Sequence, residues 1–451
     1  MMARSERAEI GRVPAAPPAA GPVQPMREER VAARPPEPRG AEERIGGRGR
    51  FALFDALRVR DFRLFWFGLI VSNIGTWMQM IGQGWLVLQL TGSPFWLGLV
   101  AFARAVPVIG FSLFAGVVAD RVDRRRLLLT TQSVVGALSL LLAVLTSLEI
   151  ITVWQIMTIA FMSASVMSFD MPARQAMVPD LVGKDRLMNA IGLNSAAWNG
   201  AAVIGPSLAG VLIGVIGVAG CFYLNAVSYL AVVAAVWSIR ARGKGGAARG
   251  ALWDKLTEGL RYIRGHRVVF ALFALVAVPS LLGRPYQQLM PVFARDVLGG
   301  GPRLYGLLMA ASGIGALLGA LATASLGGVG RKGPILLGST VSFGLALVAF
   351  ALSGRIGLSL GLLTLAGVGQ TLYMGAANTL LQTTVPDEFR GRIMSVYSLI
   401  LGGFMPLGGM LLGSVATLAG SVPLVVAAGG ALIVLCALVA GLAVPALRRM
   451  D

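Results

Sequence analysis

The chain has 451 residues, of which 56% are hydrophobic and 13% charged, with a formal net charge of +18. Soluble domains carry about 25% charged residues, so this chain lacks the groups to solvate two or three such domains, and its mean hydropathy of +0.74 points to the bilayer as solvent. The surplus Lys and Arg fall in short clusters between apolar runs, which excludes a nucleic-acid partner, while Cys221, Cys436 and the single His266 exclude a disulfide framework and a His-built metal site.

Residues 1–55 are rich in Pro, Ala, Gly, Arg and Glu and have almost nothing to bury, so this tail is expected to be disordered. It lacks the apolar core of a secretory signal. Twelve apolar runs follow, at 64–90, 95–119, 127–147, 151–169, 189–214, 218–239, 269–294, 304–326, 334–352, 357–380, 393–417 and 423–445. Each is near the ~20 residues that cross the hydrocarbon core. Backbone groups in lipid must be satisfied within the segment, so the runs predict helices. The fold expected is an all-α membrane protein with twelve transmembrane helices in two six-helix bundles, 56–239 and 269–451. With the N-terminus inside, 24 Lys and Arg flank the spans on the cytoplasmic side against 3 on the other. That bias places both termini in the cytoplasm, and a bacterial inner membrane is the expected location.

In the first run Ser72, Thr76, Gln79 and Gln83 recur 4, 3 and 4 residues apart, on one helix face. The second holds Arg104, deep in its run. At its end stands Gly116-Val-Val-Ala-Asp120-Arg121-Val-Asp123-Arg124-Arg125-Arg126. A carboxylate at the hydrocarbon edge needs a partner, and Arg one and four residues on can supply one; a simple positive-inside anchor is the alternative for Arg125 and Arg126. The fifth run carries Asn194, Trp198 and Asn199, then Gly205-Pro206 and Gly210. The last three suit a bent helix in close contact with a neighbour. Residues 240–268 join the halves, and Leu252, Leu256, Leu260 and Ile263 recur at helical spacing. They predict an amphipathic helix on the inner membrane surface, with a plain linker as the alternative. The seventh run holds Ser280, Arg284, Tyr286 and Gln287, and the tenth Gln370 and Tyr373.

The halves repeat. Gln175-Ala-Met-Val-Pro-Asp180 returns as Gln382-Thr-Thr-Val-Pro-Asp387, and Arg124-Arg125 returns as Arg331-Lys332, both 207 residues on. Paired halves are a transporter signature.

The loop after the second run resembles the G-x-x-x-D-R-x-G-R-R signature of the major facilitator superfamily, with Asp123 in place of the second Gly. The block from Asp170 to Pro179 resembles the branch that includes enterobactin exporters and macrolide efflux proteins. The resemblance implies that Asp120 and Arg124, with Gly116 and Arg121, form a gating latch with Asp170. It implies a weaker latch in the second half, where Gly327 replaces the Asp. It also implies that Gly205, Pro206 and Gly210 stand for an antiporter motif.

Polar groups inside spans are costly and by default functional. The candidate substrate contacts are Thr76, Gln79, Gln83, Arg104, Asn194, Trp198, Ser280, Arg284, Gln287, Gln370 and Tyr373; interhelical hydrogen bonding is the alternative for the amides and small residues. With Trp77 and Tyr286, they suit an aromatic or anionic ligand. No phosphate loop or catalytic constellation is present, so neither a cofactor nor an enzymatic activity is expected. The expected partners are a small-molecule substrate, membrane lipid and, as coupling ion, protons, on a monomer. The function expected is export of an amphipathic siderophore, macrolide or other drug-like compound by alternating access. A nutrient importer, a membrane enzyme or scramblase, and a non-transporting assembly factor are the rivals.

Overall fold

The structure, a computed structural model, describes residues 52–239, 261–326 and 330–450. The tail, most of the joining segment with Leu252, Leu256 and Leu260, and Gly327 lie outside the described residues. At side-chain level so do Gly116 and Asp120.

The apolar runs are helices, and no strand occurs among the described residues. After a short 3-10 turn at Ala52–Arg58 come α1 (Arg60–Thr91), α2 (Pro94–Arg121), α3 (Arg124–Ser147) and α4 (Val153–Val182). The next element, Leu187–Ser238, bends at Gly217, whose φ of 73° is left-handed. Glycine adopts that conformation without a Cβ clash. The bend divides the element into α5 (187–216) and α6 (218–238). The second half comprises α7 (Arg267–Val297), α8 (Pro302–Ser325), α9 (Lys332–Ala351), α10 (Ile356–Thr384), α11 (Asp387–Ala419) and α12 (Val422–Ala443).

Local chemistry sets the ends. Thr152 and Gln155 form a capping box at the start of α4, Pro94 and Pro302 sit in first turns where a missing N–H costs nothing, and Gly92 closes α1 in the left-handed conformation. Within α7, Pro279–Gly283 and Phe293–Val297 widen to π-helix. Pro279, Pro285 and Pro291 lack the N–H that would close regular turns there. The fourth helix departs most from expectation: it runs to Val182, thirteen residues beyond the apolar run, because Asp170 and Arg174 pair along it.

Contacts inside the halves mirror each other. Gly68, Gly75 and Gly82 of α1 back onto α6, while Leu282 of α7 meets Gly429 of α12. The α2–α4 contact has its counterpart in α8–α10, and Gly136 of α3 packs on Tyr229 of α6 as Gly344 of α9 packs on Gly430 of α12. Two seams join the halves, α2 to α11 and α5 to α8. The repeat maps α2 to α8 and α5 to α11, so the seams exchange under one two-fold operation. The bundles are pseudo-symmetric.

An even number of spans returns both described ends to one face, the terminal face. The cross-half contacts gather toward the opposite face. Ser93 Oγ lies 3.4 Å from Thr417 Oγ1, and the Phe95 amide donates to Thr417 Oγ1 at 3.1 Å. Gly98 lies directly against the Gly409 carbonyl, and Gly306 against that of Pro206, where any Cβ would collide. Arg295 donates to the Leu88 carbonyl at 3.1 Å, and Trp85 stacks on Tyr305. The deepest such contacts join Ile109 to Gly403 and Ala202 to Gly313, near mid-helix.

Candidate functional site

Two polar centres lie inside the helices, one in each half. In the first half, much of the α1 stripe is committed to α6. Thr76 Oγ1 donates to the Ser72 carbonyl at 2.8 Å and lies 3.3 Å from Tyr229 Oη. Gln79 Oε1 accepts from Asn225 Nδ2 at 2.7 Å. Gln83 is buried, 6% exposed. Thr76 and Gln79 thus take part in α1–α6 hydrogen bonding, the alternative to ligand contact, as an amide in hydrocarbon is costly without a partner. Asn225 and Tyr229, which provide those partners, do not stand out in an apolar run until α6 is laid on α1.

Arg104, half-buried on α2, has no carboxylate or hydrogen-bond partner among the described residues, and Tyr229 is in its electrostatic neighbourhood. Asp170, on α4, is fully buried. It is the one charged residue in the buried core among the described residues. Its Oδ2 accepts from Arg174 Nε at 3.0 Å and Nη2 at 2.6 Å, and its Oδ1 from Thr131 Oγ1 at 2.8 Å and Gln132 Nε2 at 2.7 Å. Four donors satisfy this carboxylate. The expected pairing of Asp170 with Arg124 is not formed in this conformation. Asp170 is held by Arg174 and α3, not by Arg124, and it lies twelve residues inside its helix, about 18 Å from the terminal end. Arg124 reaches Asp180 at 2.6 Å and the Ala176 carbonyl at 3.2 Å. The pairing differs because α4 continues past Pro172 and carries Asp180 out to the α2–α3 turn. There Asp123 caps α3 by accepting from the Arg126 amide. Arg121, at the end of α2, is exposed. Asp180 belongs to the repeated Val-Pro-Asp block, the one sequence signal that could have identified it.

The second centre surrounds Arg284. The guanidinium follows the first π-segment of α7, and its Nη1 donates to the Leu401 carbonyl of α11 at 3.1 Å, whereas its Nε has no partner. Among the described residues no carboxylate pairs with it. The fully buried Tyr373 of α10 and Ser280 of α7 face each other without closing a hydrogen bond, and both share the neighbourhood of Arg284. The carbonyl of Gln370, one turn before Tyr373, is also buried and unpartnered. Gln287 and Tyr286 meet Ser312 of α8, at 3.4 and 2.6 Å. Such a collection of orphaned donors and acceptors is rare in a settled core.

The first half also carries an aromatic pair. Trp198, 48% exposed on α5, lies 5.8 Å from Trp77 of α1, whose indole N–H is unpartnered. Asn194, one turn before Trp198, has a buried unpartnered carbonyl. Gly205 lets α5 close on Trp77 and the Ile74 carbonyl, and Gly210 lies 3.0 Å from the Pro302 carbonyl when given a Cβ. With Pro206 against Gly306, Pro206 and Gly210 lie on the α5–α8 seam while Gly205 packs on α1. Antiparallel contacts of α2 with α11 at Pro94–Gly413, Gly98–Gly409 and Ile109–Gly403 put Arg104 opposite residues 403–409, roughly one helical turn from Leu401, whose carbonyl accepts from Arg284.

The sequence profile of the transmembrane secretion effectors matches residues 52–451. The chain is 27% identical to the multidrug efflux pump Tap of Mycolicibacterium fortuitum, covering 78% of this chain and 88% of that protein. It is 27% identical to the staphyloferrin A transporter of Staphylococcus aureus, covering 75% and 85%, and 23% identical to macrolide efflux protein A of Streptococcus pyogenes, covering 77% and 87%. Among solved structures, the nucleoside transporter NupG superposes with a TM-score of 0.68 at 12% identity, covering 86% of this chain and 99% of that one. A bacterial homologue of the lysosomal transporter Spinster, inward-facing and occupied, superposes at 0.65 and 14%, covering 87% and 97%. These two likenesses concern the fold.

Proposed function

We infer the function from one premise: the chain belongs to the transmembrane secretion effector family of the major facilitator superfamily. It is a membrane transporter of efflux type and not an enzyme. The finer reading is export, from the cytoplasmic side of a bacterial inner membrane, of an amphipathic small molecule such as a siderophore, a macrolide or another drug-like compound. The substrate sits between the Trp77–Trp198 pair and the Arg284 centre, with Arg104 roughly one turn away across the α2–α11 seam. The termini lie in the cytoplasm, and the two bundles, separated at residues 240–268, rock about the site.

The observation that carries this reading is Arg284. An arginine held inside a span by one carbonyl, beside an unpartnered Tyr373 hydroxyl, retains donors for a ligand acceptor. The gathering of cross-half contacts toward the opposite face supports a chamber that opens at the terminal face in this conformation. Proton antiport would require Asp170 to release Arg174 during the cycle, or the substrate to carry the proton.

The test is counterflow of labelled macrolides and siderophores in proteoliposomes of known sidedness. Arg284→Gln is expected to abolish transport while membrane insertion and elution as a folded particle persist. Transport at the parent rate by that variant removes Arg284 from the site. Net uptake toward the terminal face would favour the importer reading.

A further inference from the structure

On the outer wall of the second half, α9 and α12 part near the terminal face to leave a groove of about 330 Å³. Its walls are apolar: Leu337, Gly338 and Val341 on one side, Leu438 and Gly441 on the other. Arg448 is the single charged residue lining it. The groove faces outward. Gly338 is exposed, Leu438 is 52% exposed, and a Cβ built at Gly338 meets nothing within 4 Å.

The chain's end fixes the charge at the mouth. After α12 a 3-10 turn, Pro445–Arg449, folds back on the start of α9, burying Leu447 completely. The Gly333 amide donates to the Met450 carbonyl at 3.0 Å, and the Leu447 carbonyl lies against Gly333, where only glycine fits. This clasp brings Arg448 and Arg449 beside Arg331 and Lys332. The Arg448 Nε lies 3.9 Å from a Cβ built at Gly441, directly over the end of the groove. None of the four cations forms an ion pair among the described residues.

We propose that the α9–α12 groove binds one anionic phospholipid, its phosphate at Arg448 and an acyl chain running past Gly338 and Val341. A greasy slot open to the bilayer will be filled by the solvent it faces, which is acyl chain. Four unneutralised cations at the interface select a negative headgroup. A positive-inside anchor accounts for the charges but not for a slot beneath them, nor for a clasp that holds Arg448 over it. The proposal does not rest on the cargo or direction of transport.

The full chain, purified in neutral detergent, would be titrated with phosphatidylglycerol, phosphatidylcholine or inorganic phosphate, with bound lipid counted by native mass spectrometry and unfolding followed thermally. One tightly retained phosphatidylglycerol and a raised unfolding midpoint are expected, with no such effect from phosphatidylcholine or phosphate. Arg448→Gln should weaken retention on the order of fivefold, the usual effect of one interfacial cation. Gly338→Phe should fill the slot and abolish retention while the lipid-free midpoint stays in place, since the new ring enters open space. Arg355→Gln, at the other end of the bundle, removes the same charge and should change nothing. Equal retention of phosphatidylcholine, an equal effect of phosphate alone, or undiminished retention by both Arg448→Gln and Gly338→Phe overturns the proposal.

Discussion

Replacing Asp170 by Asn tests whether the buried pair on α4 organises the first half. The carboxylate is fully buried and accepts four hydrogen bonds, two of them from Arg174, whose side chain is 18% exposed. The amide keeps the shape but presents N–H groups to donors and leaves the guanidinium without its counter-charge. Removing one partner of a buried ion pair costs about 3–5 kcal/mol, and the slight exposure of Arg174 puts the expectation at the lower end. For a chain of this length that corresponds to a fall of roughly 4 °C in unfolding midpoint. Thermal unfolding of the purified protein in detergent, followed by intrinsic Trp fluorescence, measures it. Arg174→Gln should cost a similar amount. The double variant should cost less than the two singles together, by about 1–3 kcal/mol, because contacting partners are not additive. A single variant that unfolds with the parent, or strict additivity in the cycle, refutes the argument that the pair is mutually satisfied inside the half.

Other expectations follow from the seams and the second centre. Cysteines at Ser93 and Thr417, whose hydroxyls lie 3.4 Å apart, should oxidise to a disulfide that holds α2 to α11. Transport should then stop and return on reduction, with gel mobility reporting the bond after proteolytic nicking between the halves. Tyr373→Phe removes a hydroxyl that has no hydrogen bond, so stability should stay within about 0.5 kcal/mol, while KM for an exported substrate rises. An unchanged KM places Tyr373 outside the ligand's reach.

Much of the architecture is legible from residue order because hydrocarbon imposes so few solutions. An apolar run of sufficient length must be a helix, and a repeated loop block must mark a duplicated half. The polar residues were harder. Gln79 and Arg284 carry the same warning in sequence, a costly group inside a span, yet Gln79 is satisfied by Asn225 and Arg284 keeps an open donor. Nothing along α1 announces Asn225, 146 residues distant. The same holds for the latch: Asp170 and Asp180 both follow the apolar part of α4, and only the helix's continuation past Pro172 decides which carboxylate meets Arg124.

Residue order alone determined that this protein lives in a membrane, how often it crosses, and that its halves are copies, since each follows from local hydrophobicity or self-similarity. Tertiary structure decided which buried polar groups are spent on one another and which are left over, and it made a slot between α9 and α12 under Arg448. A hydrogen bond inside a membrane depends on which helix faces are brought within about 3 Å of each other, and that distance is a property of packing, not of any single segment.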